Sequence, residues 1–114
     1  MKLNNCILRI FEVRAKPGKA GLLAQKLSDT SVSVVEGQPG NMGHFFGNNL
    51  SGDENDLVFI SAWRDIDVVK THFGDNWRVS YLPEGYDELI ESCSVKHIEV
   101  SGDLTAEKSG FGLV

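Results

Sequence analysis

The run Leu57–Trp63 (LVFISAW) carries apolar side chains at odd and even positions alike. Successive residues of a strand point to opposite faces, so such a strand has two faces to hide. A small antiparallel sheet ordinarily leaves one face to water. A chain of 114 residues makes one domain, not two. It can cover one side of its sheet with its own helices; the other side then falls to a partner. The run therefore predicts a layered α+β unit with one associating face.

The flanking sequence divides cleanly around that strand. Ile7 to Ala15 (ILRIFEVRA) reads as a first strand, with Ile7, Phe11 and Val13 on one face and Leu8 and Ile10 on the other. A helix follows, with Pro17 in its first turn and Ala20, Leu23, Leu27 and Val34 at helical spacing. Gly37-Gln38-Pro39-Gly40 stops it. Asn41 to Asn49 is the second strand, interrupted by Gly43 and Gly47, and Ser51 to Asp56 is a polar turn into the third, Leu57 to Trp63. Asp65 suits the N-cap of a helix bearing Val68, Val69, His72 and Phe73, which Gly74 ends. A further helical stretch is expected from Pro83 to about Cys93, with Tyr86, Leu89, Ile90 and Cys93 on one stripe. Val95 to Val100 is the fourth strand.

The order β-α-β-β-α-(α)-β is the split βαβ, ferredoxin-like arrangement, with helices on one face of a four-stranded antiparallel sheet. Residues 1–101 make the domain, and the Gly-, Ser- and charge-rich tail 102–114 is expected to be loose or to pair late with a neighbour. Phe11, Phe45, Phe46 and Phe59 must divide between the two faces of the sheet. A monomer exposing such a face would carry an unusually large apolar patch, and dimerisation through the sheets is the simplest cure.

Charge and cysteine usage exclude several classes. A net charge of −5 and a pI near 5.1, with no basic cluster, argue against a nucleic-acid partner. Cys6 and Cys93 form no CxxC pair, so neither a disulfide framework nor a zinc site is expected. His44, His72 and His97 show no HxxxH spacing, so no metal is expected either. The N-terminal segment MKLNNCILRI lacks a signal-peptide core, and no run approaches the ~20 apolar residues of a membrane span. The expected compartment is the cytoplasm, with no membrane partner.

Pro17-Gly18 after the first strand, Trp63 closing the third, Asp65 after it, and His72 nine positions beyond the Trp resemble the antibiotic biosynthesis monooxygenase (ABM) domain. The resemblance covers roughly Ile7 to Val100. It implies a dimeric α/β barrel in which two sheets face each other. It also implies enzymes that use molecular oxygen on aromatic substrates such as anthrones without metal or flavin, and a branch that binds and cleaves haem. In the well-understood enzymes of the family an Asn on the first or third strand partners the Trp. Here neither Ile7 to Ala15 nor Leu57 to Trp63 contains one; beyond the first strand the asparagines fall at Asn41, Asn48, Asn49, Asn55 and Asn76.

The resemblance makes Trp63 a wall of the pocket, where it would help to hold substrate or dioxygen; a large core side chain is the plainer reading. For His72 it implies an axial haem ligand in the haem-degrading branch. A general base is the alternative chemistry, and a histidine pinning helix to strand is the structural alternative. His44, if its strand face is the cavity side, could deprotonate a phenol. His97 is assigned no role. Phe46, Phe59, Phe73 and Trp77, with Phe45 and Tyr81 near them, could wall a flat apolar ligand or simply form core and dimer seam.

Two functions from different classes follow. One is a cofactor-independent monooxygenase acting with O2 on a small aromatic or quinol-like compound, with Trp63, His72 and His44 as catalytic candidates. The other is a non-enzymatic dimeric module that binds a small apolar metabolite, which the missing Asn favours. Haem binding or degradation through His72 is a third reading that the resemblance implies.

Overall fold

The computed structural model describes residues 5–101, with the backbone alone at 30–33. The segment 102–114, and with it the expectation of a loose or late-pairing tail, lies outside the described residues. Strand β1 (Ile7–Ala15) leads into helix α1 (Ala20–Lys26), a π-helical turn (Leu27–Ser31) and helix α2 (Val32–Val35). Strands β2 (Asn41–Asn48) and β3 (Asp56–Trp63) form a hairpin, followed by helix α3 (Ile66–Phe73), a 3-10 turn (Gly74–Asn76) and strand β4 (Ile90–Glu99). The sheet runs β2-β3-β1-β4 and every pairing is antiparallel. This is an α+β, ferredoxin-like fold.

β1 and β3 are the central strands, in register from Ile7 opposite Trp63 to Arg14 opposite Asp56. Alternation sorts their side chains. Ile7, Arg9, Val13, Ala15, Leu57, Phe59, Ser61 and Trp63 are buried, together with Leu23 and Leu27 of the first helical stretch and Val69 of α3. The helices therefore cover this face alone. Burying each such aliphatic side chain contributes about 1.5–3 kcal/mol. The opposite face presents Leu8, Ile10, Val58, Ile60 and Ala62, all half-buried, flanked by Phe45 and Ile98, both exposed. The phenylalanines divide accordingly. Phe11, Phe46 and Phe59 share the helix side, and Phe45, opposite Ile60, lies on the bare side.

Local chemistry explains the boundaries. Pro17-Gly18 forms the turn before α1 rather than its first turn, with Gly18 at φ 77° and Lys19 as the N-cap. The π turn interrupts what the spacing reads as one uniform helix. Its wider turn shifts the phase, so that Leu23, Leu27 and Val35 are all buried. Gly40 has φ 80°, and a Cβ there would meet the Val68 side chain at 2.8 Å; only glycine lets β2 start this close to α3. The Asp65 side chain accepts a hydrogen bond from the Val68 backbone N–H at 3.0 Å, the expected cap of α3.

One expected element is absent. Pro83 to Leu89 is not helical but a chain of turns, and β4 begins at Ile90, five residues before the expected start. Gly85 sits at φ 89°, outside any right-handed helix. The Tyr86 hydroxyl donates to the Lys26 carbonyl at 2.7 Å, and the Lys16 N–H donates to the Leu89 carbonyl at 2.8 Å. The apolar spacing that resembles a helical stripe instead drops Tyr86 and Leu89 into the core from an irregular segment. Ile90 and Cys93 belong to a strand, paired with Ala15 and Val13.

Candidate active site

Between the helix-side face of the sheet and the elements above it lies a cleft. Its inner part, about 40 Å³, is floored by Arg9, Phe11, Phe59 and Ser61 and closed by Val34, Val35, Phe73, Tyr81 and Pro83. An outer part of about 290 Å³ shares Val34, Phe73 and Tyr81 with it and adds Gln38 and His72. The floor comes from the two central strands, the walls from α2 and α3, and the rim from the segment before β4.

Arg9 dominates the electrostatics. It is only 6% exposed, yet among the described residues no carboxylate pairs with it. Its guanidinium donates to the backbone carbonyls of Trp77 and Val79 (the latter 3.1 Å) and lies 3.0 Å from His97 Nε2. Its carbon sits 3.7 Å from the centre of the Phe73 ring, a cation–π contact. Burial pushes its pKa down to about 10, which leaves it charged at neutral pH. His97 faces this cation. Desolvation, then the charges of Arg9 and Arg78, push its pKa down to about 4, so it is neutral and can accept from the arginine. The Trp77 ring meets His97 edge-on at 4.9 Å and is flanked by Lys70 and Arg78.

Trp63 is fully buried, and its Nε1–H donates to Ser61 Oγ at 2.9 Å, two residues back on the same face. His72 stacks on it at 5.2 Å and meets Phe73 edge-on at 4.6 Å; Phe73 in turn meets Trp63 at 5.6 Å. Trp63, His72 and Phe73 thus form one aromatic cluster. It reaches the inner cleft through Phe73 and the outer cleft through both His72 and Phe73. Phe59 lies on the floor, and His44 of β2 stacks on it at 5.9 Å. Phe46 stands opposite Phe59 in the β2–β3 register and is 40% exposed. Trp77 is joined to the site through its carbonyl, on Arg9. Trp63, His44, Phe46 and Trp77 do not themselves line the cleft.

Sequence reasoning misses Arg9 and Ser61. The available signal is the strand period: if Ile7, Phe11 and Val13 face inward, so does Arg9, and if Phe59 and Trp63 do, so does Ser61. The asparagine at the start of β2 has a structural task. Asn41 donates to the Ala62 carbonyl and accepts from the Gly43 N–H, holding the register shift between Asn41 and Gly43.

Residues 6–76, more than half of the chain, match the model of the family described as antibiotic biosynthesis monooxygenase. The chain belongs to that family. Solved structures agree in fold. SnoaB, a cofactor-independent oxygenase from Streptomyces nogalater, aligns with a TM-score of 0.60 at 14% identity, over 91% of this chain and 99% of that one. A Nitrosomonas europaea protein of unknown function aligns at 0.66 and 17% identity, over 89% and 95%. A Pseudomonas aeruginosa protein aligns at 0.64 and 17% identity, over 88% and 98%. No curated protein matches the sequence significantly. Among the described residues of this family member no helix is long and apolar enough to cross a membrane, and no cluster of three His, Cys, Asp or Glu could hold a metal ion.

Proposed function

We propose that the protein is a monooxygenase that needs no cofactor and acts with O2 on a small aromatic or quinol-like compound held in the cleft above β1 and β3. The observation that carries this reading is the cleft itself. It is walled by Phe11, Phe59, Phe73 and Tyr81, carries Arg9 and Ser61 on its floor, and opens beside His72. Flat apolar ligands suit such walls, and a few placed polar groups orient them. Family membership and the likeness to a cofactor-independent oxygenase support the same chemistry.

The reaction asks the protein for a base, a dry pocket and donors for developing negative charge. His72, which lines the cleft, takes a proton from the substrate, while His44 does not line it and backs Phe59 on the floor. The electron-rich anion passes one electron to O2, and the radical pair recombines to a carbon-bound peroxide. At a carbon that carried two hydrogens, loss of water from the peroxide leaves a carbonyl. One oxygen atom stays in the product and the other departs in water, so the substrate itself is the reductant. Trp63 braces His72 and Phe73, the two residues that reach the cleft.

Association through the bare sheet face belongs to the same reading. Dimers are typical of the family. Leu8, Ile10, Ile60, Phe45 and Ile98 form an apolar surface that a second copy would cover, giving a dimeric α/β barrel with the clefts outside the seam.

Oxygen uptake over a panel of phenols and hydroquinones tests the function. Uptake that falls at least tenfold in His72→Ala or His44→Ala, and in Trp63→Phe, is the expected result. Unchanged turnover in all three overturns the residue assignments, and no uptake with any compound overturns the oxygenase. A second reading, a dimeric binder of a small apolar metabolite, is favoured by the absence of Asn from β1 and β3. Native mass spectrometry of protein purified from its source would then find a retained ligand.

A further inference from the structure

We propose that the cleft takes its ligand as an anion, with a carboxylate or ionised phenol oxygen on a flat ring paired to Arg9. This rests on the reading of the cleft as the substrate site, but it does not require that the ligand be oxidised there.

A buried guanidinium without a counter-charge is costly, and proteins ordinarily pair it with a carboxylate. Arg9 has none among the described residues. Asp53, Asp56 and Glu91 are gathered instead around Arg14 at the far end of the same strand, and Glu12 pairs with Lys96 on the opposite face. Among the described residues, these paired acids are thus placed away from the one arginine that is buried. A guanidinium carries five N–H donors. Three contacts engage Arg9, to two backbone carbonyls and to His97, which leaves two N–H groups for a ligand. All three partners are neutral, His97 included. They fix the arginine in place without cancelling its charge.

The surroundings suit a small aromatic anion. Arg9 shares the cleft floor with the Ser61 hydroxyl and with Phe11 and Phe59, and Phe73 lies against the guanidinium. The ring of a ligand would meet phenylalanine walls while its oxygen meets the arginine. Among the described residues, a doubly charged or bulky polar anion would find no second cation lining the cleft. One charge on an otherwise apolar ring is the chemistry that fits.

The test compares ligands of one shape that differ in charge, by isothermal titration on the full chain. Benzoate is set against benzamide, and ionised 4-nitrophenol against 4-nitroanisole. The expected result is that at least one anion binds about 10- to 100-fold tighter than its neutral partner, the range of a charge-assisted hydrogen bond. The pair that shows the gap identifies carboxylate or phenolate as the group recognised. In Arg9→Gln, checked for native fold by circular dichroism, the gap closes to less than about threefold. Equal binding of anion and neutral partner by the unaltered protein overturns the proposal, whether or not Arg9→Gln folds. A gap that persists in folded Arg9→Gln overturns the assignment to Arg9. Oxygen uptake is measured separately: anion preference without uptake keeps this inference and removes the oxygenase, and uptake without anion preference does the reverse.

Discussion

On the helix-covered face of the sheet, Arg9 and Ser61 lie buried among Ile7, Val13, Phe59 and Trp63, and each has a hydrogen-bond partner. On the other face of the same strands Leu8, Ile10, Val58, Ile60 and Ala62 lie under none of the described elements, with Phe45 62% exposed beside them. Two polar residues thus lie inside among apolar ones, and five apolar residues lie on the uncovered face, each against what solvent alone would select. Each inversion has its own meaning. Buried polar groups held in place by hydrogen bonds are what the proposed site is built on. A bare apolar face is what the proposed interface would cover. On the proposed reading, a strand apolar on both faces serves two purposes at once, one on each side.

The largest expected effect breaks the covered face. Trp63 has no exposed surface, braces His72 and Phe73, and donates to Ser61. Trp63→Ala removes that volume and is expected to cost about 3–5 kcal/mol of folding stability, measured by urea denaturation. A loss below about 1 kcal/mol would mean that α3 does not depend on this contact.

The next breaks the bare face. Ile60 is flanked by Ile10 and Phe45 across the sheet. A carboxylate there stays hydrated in a lone protomer but would be buried unpaired in a dimer seam. Ile60→Asp is expected to weaken self-association at least about 100-fold, about 2.7 kcal/mol, by sedimentation velocity. A wild-type protein that sediments as a monomer, or a variant that associates as before, would remove the interface.

How much of this the sequence discloses differs between the two faces. The bare face follows from alternation alone, because Leu57–Trp63 is apolar at every inward and outward position but Ser61. The cap of α3 is equally legible, since Asp65 acts within three residues of itself. The covered face is harder. Tyr86, Leu89, Ile90 and Cys93 keep helical spacing, and nothing local shows that a hydrogen bond from Tyr86 to Lys26, sixty residues away, holds the segment in turns. The same distance hides the site. Arg9 reads as an outlier in an apolar strand until the Trp77 and Val79 carbonyls and the His97 ring are seen around it, from segments 68 to 88 residues on. Periodicity reports which way a side chain points, whereas pairing of a buried charge depends on what the fold brings over it.

The smallest expected effect sharpens the comparison, because it tests whether the covered face carries its charge on the arginine alone. His97 is half-buried, 3.0 Å from Arg9, with Arg78 and the Trp77 ring on its other sides. A proton on its ring would turn an acceptor of the Arg9 hydrogen bond into a second cation. The folded protein therefore resists protonation down to about pH 4, whereas an unfolded chain takes the proton near 6.5. Between those values the unfolded state binds more protons, so acid favours unfolding. The contribution is complete above pH 6.5 and is lost as the pH falls toward 4. Because the ring is partly open to solvent, the loss is expected to be about 1–2 kcal/mol. Chemical denaturation at steps between pH 7 and 4 measures it. In His97→Gln, which keeps an acceptor for Arg9 and cannot titrate, that part of the slope disappears. A slope unchanged in the variant would assign it to carboxylates on the surface and leave His97 with no part in holding Arg9.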